Sequence, residues 1–420
     1  MARPLAQIPI VGPVVEQYRE RLTPRGRYVL WCMVVLAAVG VDTRRTQVFV
    51  LFSVAAGIFL IAAIQGLLQP RPKIKIDCRM PERVTALVPL TVLAHVSGNG
   101  KALRDLQFSL PRPAKWGSSI QCEPRAVYFD VEPGESASAR LDFKALRRGK
   151  YELRGAAVRS TDPLRLVTSR AVALQDQVLF AYPRFWSLDE FIIPLGRKYQ
   201  PGGIPLSSNT GDAIEFVGTR EYREGDPVKN IHWRSWARRG EPVVKEYQEE
   251  YFCRIALILD TFLPKKASER HVQAFEAAIS LLASIADYFS RSEYVVDILA
   301  AGPDLYEVSA GRSLAYLENI LDVLSCLEPC YDAPFATIGP QLFDKLAHIT
   351  TVVAVMQDWD APRRDFLRRV KEGGAGVRAM IVRDGATSEP WQNASADLGE
   401  FTQYTTAEIE ALLARAGRQS

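Results

Sequence analysis

No charged residue stands between Thr46 and Gln69, and the run VFVLFSVAAGIFLIAAIQGLL inside that window is long enough to cross a bilayer as a single helix. In hydrocarbon every backbone N–H and C=O must be satisfied within the segment, which leaves such a run little choice but a helix. Ahead of it, YVLWCMVVLAAVGV (28–41) is equally apolar but only 14 residues long. It begins far into the chain and no small-residue cleavage site follows, so the sequence reads as a transmembrane hairpin (28–41 and 47–68) rather than a signal peptide. Tyr28 and Trp31 suit one interface. A single span with a buried first helix is the alternative, and it would put the remaining chain on the other side.

Basic residues set the orientation. Arg19, Arg21, Arg25 and Arg27 precede the hairpin, Arg71, Lys73, Lys75 and Arg79 follow it, and the turn holds only Arg44 and Arg45. That asymmetry predicts a multi-pass protein of the inner (cytoplasmic) membrane with both termini cytoplasmic, including a tail over 1–27.

From 72 to 185 the pattern changes to short alternating runs: LTVLAHVSG, LQFSLP, AVYFDVEPG, ARLDFKAL, YELRGAAVRS and QVLFAYP, broken by Gly, Pro, Asn or Asp. This predicts an all-β, sandwich-like domain of the immunoglobulin kind, without a Cys–Trp–Cys pattern. STDPLRLV within it reads as an Asp-Pro turn.

From 252 to 420 strands and helices alternate. CRIALILD, YVVDILAAG, TTVVAVMQD and VRAMIVRD read as buried strands; the run from Ser268, LAYLENILDVLSCL, RRDFLRRVKEGG and TAEIEALLARAG read as helices. The expected architecture is a doubly wound α/β domain, in which function sits at the carboxyl ends of strands. That rule nominates Asp260, Asp358 and Asp384. The chain as a whole is thus expected to be an α+β multidomain protein.

Between the two domains, a linker and charged segment (186–251) carries REYREGDPVKNIHWRSWARRGEPVVKEYQEE from position 220, with seven Lys or Arg and seven Asp or Glu. Such a balance, with a net charge of only +4 over 420 residues, gives no attraction for nucleic acid. Asp226 suits an N-cap, Pro227 a first helical position and Gly240 a C-terminal stop, which predicts one short helix with Val228, Ile231, Ser235 and Trp236 on one side and His232 beside them. Three readings follow: an ion-paired joint between domains, a partner-docking surface built on the same network, or a hydrolytic site formed by His232 with Glu221 or Asp226 near the strand-end Asp260. No nucleophile or Gly-rich loop accompanies the third.

The segment Glu215–Phe216, Arg220–Glu221–Tyr222, Gly225–Asp226, Ile231 with Trp233, Ala237–Arg238 and Lys245–Glu246 resembles the signature of the domain of unknown function 58 family, a bacterial and archaeal group. The hairpin, the β-rich middle with RRGKYEL and DPLRL, and a von Willebrand factor A-like end resemble the family layout too. The resemblance implies a membrane-anchored, non-enzymatic adaptor or assembly factor. Its implied partners are a MoxR-type AAA+ ATPase and other membrane proteins, and its implied work is the maturation of envelope or metal-dependent complexes. No Walker A loop is present, so ATP hydrolysis would belong to the partner. No cofactor is expected. Von Willebrand A-type domains hold magnesium with an Asp-x-Ser-x-Ser motif; here Phe262 and Pro264 stand in the two serine places, so Asp260 is expected to mark a degenerate site without metal. The sequence leaves the oligomeric state open.

Overall fold

The computed structural model describes residues 21–417 apart from 40–47, 69–71, 101, 111–118, 125, 154–155, 170, 195–213, 227, 250–253, 293–294, 302–304, 311–313, 332–334 and 336–337. Arg44 and Arg45 of the hairpin turn, Arg19, Arg71, Pro227 and most of the amino-terminal tail and linker lie outside the described residues. The chain divides after Tyr182 into two compact units, Met1–Tyr182 and Pro183–Ser420.

The first unit opens with helices α1 (Pro24–Val39) and α2 (Val48–Leu68), which pack on each other. Thr23 caps α1, its hydroxyl accepting the Gly26 N–H at 3.0 Å, and Pro24 supplies the preset backbone of a first turn. Within α2 the stretch Phe49–Gly66 is long and apolar enough to cross a membrane. Most of its large side chains are exposed, Leu51 to 63% and Leu68 to 77%, while Ala62 is buried. The helix α4 described below passes the same test of length and composition but is mostly buried inside its own unit.

The β-rich segment forms strands β1 (Ile74–Arg79), β2 (Arg83–Thr85), β3 (Pro89–Gly98), β4 (Leu103–Ser109), β5 (Ile120–Glu123), β6 (Val127–Val131), β7 (Ser136–Ala145), β8 (Gly149–Leu153), β9 (Ala157–Ser160), β10 (Val172–Ala173) and β11 (Gln177–Tyr182). Two antiparallel sheets, β1-β3-β7-β5 and β10-β9-β4-β6, share one core, and a third has the order β2-β11-β8. Alternation explains the core: Val92, Ala94 and Val96 of β3 and Leu141 and Phe143 of β7 point in, meeting Leu106 and Phe108 of β4. YELRGAAVRS, read as one run, folds as two strands in different sheets, because β8 pairs with β11 and β9 with β4.

The DPLRL turn joins the helices to this body. Asp162 is fully buried and its carboxylate accepts the N–H groups of Leu164, Leu166 and Val167 at 3.0, 2.7 and 2.6 Å. The turn so formed receives the Thr23 N–H at the Leu166 carbonyl and donates the Thr168 N–H to the Arg21 carbonyl. Leu166 and Val167 pack against Ala62 of α2 with Leu22, Val29 and Phe59 around them. Backbone approach is so close that a Cβ on Gly26 would lie 2.0 Å from the Leu166 oxygen.

The second unit contains a two-stranded sheet of β12 (Ile214–Glu221) and β13 (Val243–Glu249), with a 3-10 turn (Val228–Asn230) and helix α3 (Trp233–Arg239) between them. The α/β body follows: β14 (Arg254–Leu259), α4 (Glu269–Ser290), β15 (Val295–Ala301), β16 (Leu305–Ala310), α5 (Leu314–Cys326), α6 (Ile338–Lys345), β17 (Thr351–Met356), α7 (Ala361–Glu372), β18 (Gly376–Val382), α8 (Gln392–Leu398), β19 (Glu400–Tyr404) and α9 (Thr406–Ala416). Its sheet has the order β16-β15-β14-β17-β18-β19, parallel except for β16 at one edge. Ala256 and Ile258 face a core with α6, α7 and α8, while Ile255, Leu257 and Leu259 are equally buried on the side of α4. The carboxyl-terminal helix α9 is docked: Ile409 and Leu413 are buried and Glu410 pairs with Arg184.

Candidate functional site

The hairpin of β12 and β13 assembles most of the signature residues. Arg220 faces its own turn: Nη1 and Nη2 donate to the two Asp226 oxygens at 2.7 and 2.8 Å. The Arg223 N–H adds a third bond at 2.8 Å. The Arg220 fork, with the Arg223 N–H behind it, holds the Asp226 carboxyl down at about 2. Because both oxygens are engaged this way, Asp226 does not cap a helix as its sequence position suggested. Gly225 turns the chain with φ 104°, the 3-10 turn follows, and Ile231 bridges Val244 of β13 before α3 begins at Trp233 with His232 in the N-cap position. Gly240 does end the helix in the left-handed region (φ 77°), its N–H reaching the Trp236 carbonyl.

The expected apolar face is rearranged by that shift. Ile231 is buried, but Val228 is 63% exposed and Trp233 61%, with Trp233 stacked on Trp236 at 5.3 Å between ring centroids. Glu221, Ala237 and Arg238 are exposed and Tyr222 is half-buried. Glu215 and Glu246 occupy strand positions opposite Gln248 and Gly218; their side chains lie outside the described residues. The Arg220 fork closes within the hairpin, not across domains.

The second candidate is the carboxyl edge of the six-stranded sheet. The parallel neighbours β14 and β17 flank the point where the winding order of the sheet reverses, from β14 toward β15 on one side and from β17 toward β18 on the other, the switch point where ligands bind in open α/β sheets. Asp260 and Gln357–Asp358 follow those strands, and a cavity of about 480 Å³ opens there, lined among others by Phe262, Leu263, His271, Asp358, Arg363 and Arg383.

Each nominated carboxylate is engaged from within. Asp260 accepts the N–H groups of Phe262 (3.1 Å) and Gln357 (3.3 Å) and two bonds from Arg363, Nε at 2.9 Å and Nη2 at 2.6 Å. Arg363 Nη1 also donates to Asp360 at 2.5 Å. Burial acts to lower the Arg363 pKa, but the Asp260 and Asp360 carboxylates outweigh it and hold it above its ordinary value. Asp358 is pushed up by burial and pulled down further by the Ser388 hydroxyl and N–H, the Trp359 N–H and Arg383. Asp384 accepts the N–H and hydroxyl of Thr406 at the start of α9.

This donor set does not fit the magnesium that a resemblance to von Willebrand A domains would imply. Phe262 and Pro264 offer no hydroxyl, and a divalent cation about 4 Å from the guanidinium meets a repulsion of about 8 kcal/mol at an effective dielectric of about 20. Among the described residues no three His, Cys, Asp or Glu converge for a metal. The residues of the imagined hydrolytic site are also held apart chemically: Asp226 by Arg220, His232 Nδ1 by the Ser235 hydroxyl at 2.5 Å, and Asp260 by Arg363. Sequence reasoning missed Arg363, read only as part of a helix. The available signal was the spacing Asp360-Ala-Pro-Arg363, an N-cap Asp three residues before the Arg that shares it.

Residues 218–389 match the family described as "Protein of unknown function DUF58". The "Uncharacterized protein YeaD" of Bacillus subtilis (strain 168) is 28% identical over 194 residues, 43% of this chain and 46% of that protein. The chain thus spans about half the length of the curated relative it matches. Among solved structures, proximal thread matrix protein 1 of the mussel byssus is similar at 11% identity and a TM-score of 0.28 over 40% of this chain and 45% of that one. The CARDB domain of a Pyrococcus furiosus protein matches at 12% and 0.19 over 27% and 97%. Scores at this level carry no fold assignment.

Proposed function

We propose that this chain, with its DUF58 domain at residues 218–389, is a membrane-anchored, non-enzymatic adaptor that docks a cytoplasmic protein. In this reading α1 and α2 are the transmembrane hairpin of an inner-membrane protein with both termini cytoplasmic. The β-rich body is an immunoglobulin-like spacer, and the α/β body a von Willebrand A-like docking domain. The observation that carries it is the internal engagement of Asp260, Asp358 and Asp384. At the edge where such sheets do their chemistry, each candidate acid or base is already committed to its own fold. Meanwhile the hairpin presents Trp233 and Val228 to solvent beside Arg234, Arg238 and Arg239, the aromatic-and-arginine composition that dominates protein interfaces.

The partner is a MoxR-type AAA+ ATPase, acting with this chain and other membrane proteins in maturing envelope or metal-dependent complexes; this choice rests on the family resemblance. The test is purification of the detergent-solubilised full-length chain from native membranes, with ATP or ADP. Nucleotide-dependent co-elution of an AAA+ ATPase is expected, and Trp233→Ala with Arg238→Glu reduces it at least tenfold while the chain stays folded, losing about 1 kcal/mol with the Trp233–Trp236 stack. Equal recovery by the folded double variant sinks the docking face, and hydrolytic turnover by the purified chain sinks the adaptor reading.

A further inference from the structure

Arg363 is 3% exposed at its side chain, Asp260 1% and Asp360 30%. A buried arginine is retained only where its donors are matched, since desolvating a guanidinium costs several kcal/mol. Here Nε and Nη2 go to one Asp260 oxygen and Nη1 to Asp360, whose other oxygen takes the Arg363 backbone N–H at 3.2 Å. One cation therefore ties together the end of β14, through Asp260, and the first turn of α7, through Asp360. The end of β17 joins through the Gln357 N–H on the same Asp260 oxygen. The Gln357 side-chain amide closes the ring on the carbonyls of Asp260 (3.0 Å) and Phe262 (3.4 Å).

That is the work a divalent ion does at a strand-end corner: it neutralises carboxylates from separate elements and fixes their spacing. We propose that Arg363 is a tethered substitute for a divalent cation. Its guanidinium is permanently seated between Asp260 and Asp360, so the carboxyl edge is assembled without metal and whatever binds at the adjacent cavity does so independently of divalent ions. The apolar side chains of Phe262 and Pro264 are consistent with this, because a guanidinium supplies its own directional donors and needs no hydroxyl ligands from that loop. The inference does not depend on the adaptor reading.

A substitute can be exchanged for what it replaces, and that is the test. The full-length detergent-solubilised chain, Arg363→Ala, and Arg363→Ala with Asp260→Asn are each titrated with manganese chloride, followed by Mn²⁺ paramagnetic resonance and by melting. Manganese suits carboxylate and carbonyl ligands. The wild type is expected to bind no Mn²⁺ at this corner and to melt unchanged in EDTA. Arg363→Ala, which leaves two carboxylates facing each other without a counter-charge, is expected to melt lower and to gain one Mn²⁺ site. At a hundredfold excess over its Kd, the ion raises the folded-to-unfolded ratio about a hundredfold. The double variant, with Asp260 neutralised, is expected to lose that response. The proposal is overturned by a wild-type Mn²⁺ site that Asp260→Asn removes. It is equally overturned if folded Arg363→Ala binds no ion, or if it stays unfolded in about 10 mM Mn²⁺, tenfold above the weakest ordinary oxygen-ligand calcium affinities. An undiminished Mn²⁺ response in the double variant overturns it as well.

Discussion

Replacing Asp162 by Ala removes the side-chain acceptor for three N–H groups, those of Leu166 and Val167 buried and that of Leu164 partly so. The Leu166 and Val167 N–H groups lie 2.7 and 2.6 Å from one oxygen, and that of Leu164 lies 3.0 Å from the other. Hydrogen bonds to a charged acceptor are worth about 1.5–3 kcal/mol each, and a buried donor left unpaired costs about 1–3 kcal/mol. With one of the three reaching water after relaxation, the expected loss is about 4 kcal/mol, a large share of the usual 5–15 kcal/mol of a folded domain. The loss is local first. Leu166 and Val167 hold the turn against Ala62, the Leu166 carbonyl accepts the Thr23 N–H and the Thr168 N–H donates to the Arg21 carbonyl, so α1 and α2 come loose from the β-rich body before that body unfolds. Hydrogen exchange by mass spectrometry on the detergent-solubilised chain reads this directly. At about 1.4 kcal/mol per decade, exchange at 164–167 is expected to accelerate by about three powers of ten, with the core of β3 and β7 nearly unchanged. Asp162→Asn keeps an acceptor for the Leu166 and Val167 pair and turns a donor toward Leu164, so about one decade is expected. Equal protection in Asp162→Ala and wild type, or equal damage from Ala and Asn, refutes the account of this turn.

Two further outcomes follow from the same geometry. Asp226 sits at about 2 against about 3.9 for an unfolded Asp, so its pairing with Arg220 and Arg223 contributes stability that is fully present above about pH 4 and is lost as pH falls through about 2. Fluorescence of the Trp233–Trp236 pair is expected to report loosening of the hairpin over that window, and Asp226→Asn to remove the pH dependence; an unchanged acid profile in the variant refutes the assignment. Gly26→Ala sets a Cβ 2.0 Å from the Leu166 carbonyl oxygen and must push helix and turn apart, giving exchange at 164–167 that rises as in Asp162→Ala, whereas alanine at the open Gly57 of α2 leaves it unchanged.

What the sequence made legible was periodicity. The uncharged run gave α2, alternation gave β3, β4, β6, β7 and β11, and TAEIEALLARAG with its Gly stop gave α9 ending at Gly417, to which the structure adds Thr405 as N-cap. The short pieces escaped because local signals are shared between structures. VKNIHWRSWARR reads as one helix, but the Ile231–Val244 bridge interrupts it, and a bridge depends on a strand that arrives more than ten residues later. The partners of strand-end carboxylates escaped for the same reason. Asp260 and Arg363 are 103 residues apart, and only the fold of the sheet makes them neighbours. The nomination of Asp260, Asp358 and Asp384 by position was legible; that each would be consumed by a bond from a later element was not.

Asp162, Asp226 and Asp260 share one construction. Each carboxylate gathers backbone N–H groups from a chain reversal, and two of the three add an arginine fork. A carboxylate used this way is stiffened by several fixed donors, and Asp226, held at about 2 by the Arg220 fork and the Arg223 N–H, is a poor proton acceptor. Charged residues that read as chemistry in a linear sequence therefore act here as locks on three turns. One seats the helices on the β-rich body, one shapes the charged hairpin, and one closes the carboxyl edge of the α/β sheet. What those locks leave facing solvent on the hairpin is Trp233 and Val228 beside three arginines. Exposed aromatic surface that the fold does not need is a cost in solubility unless something covers it, and this argues for a partner at the hairpin more strongly than the charge of the segment does.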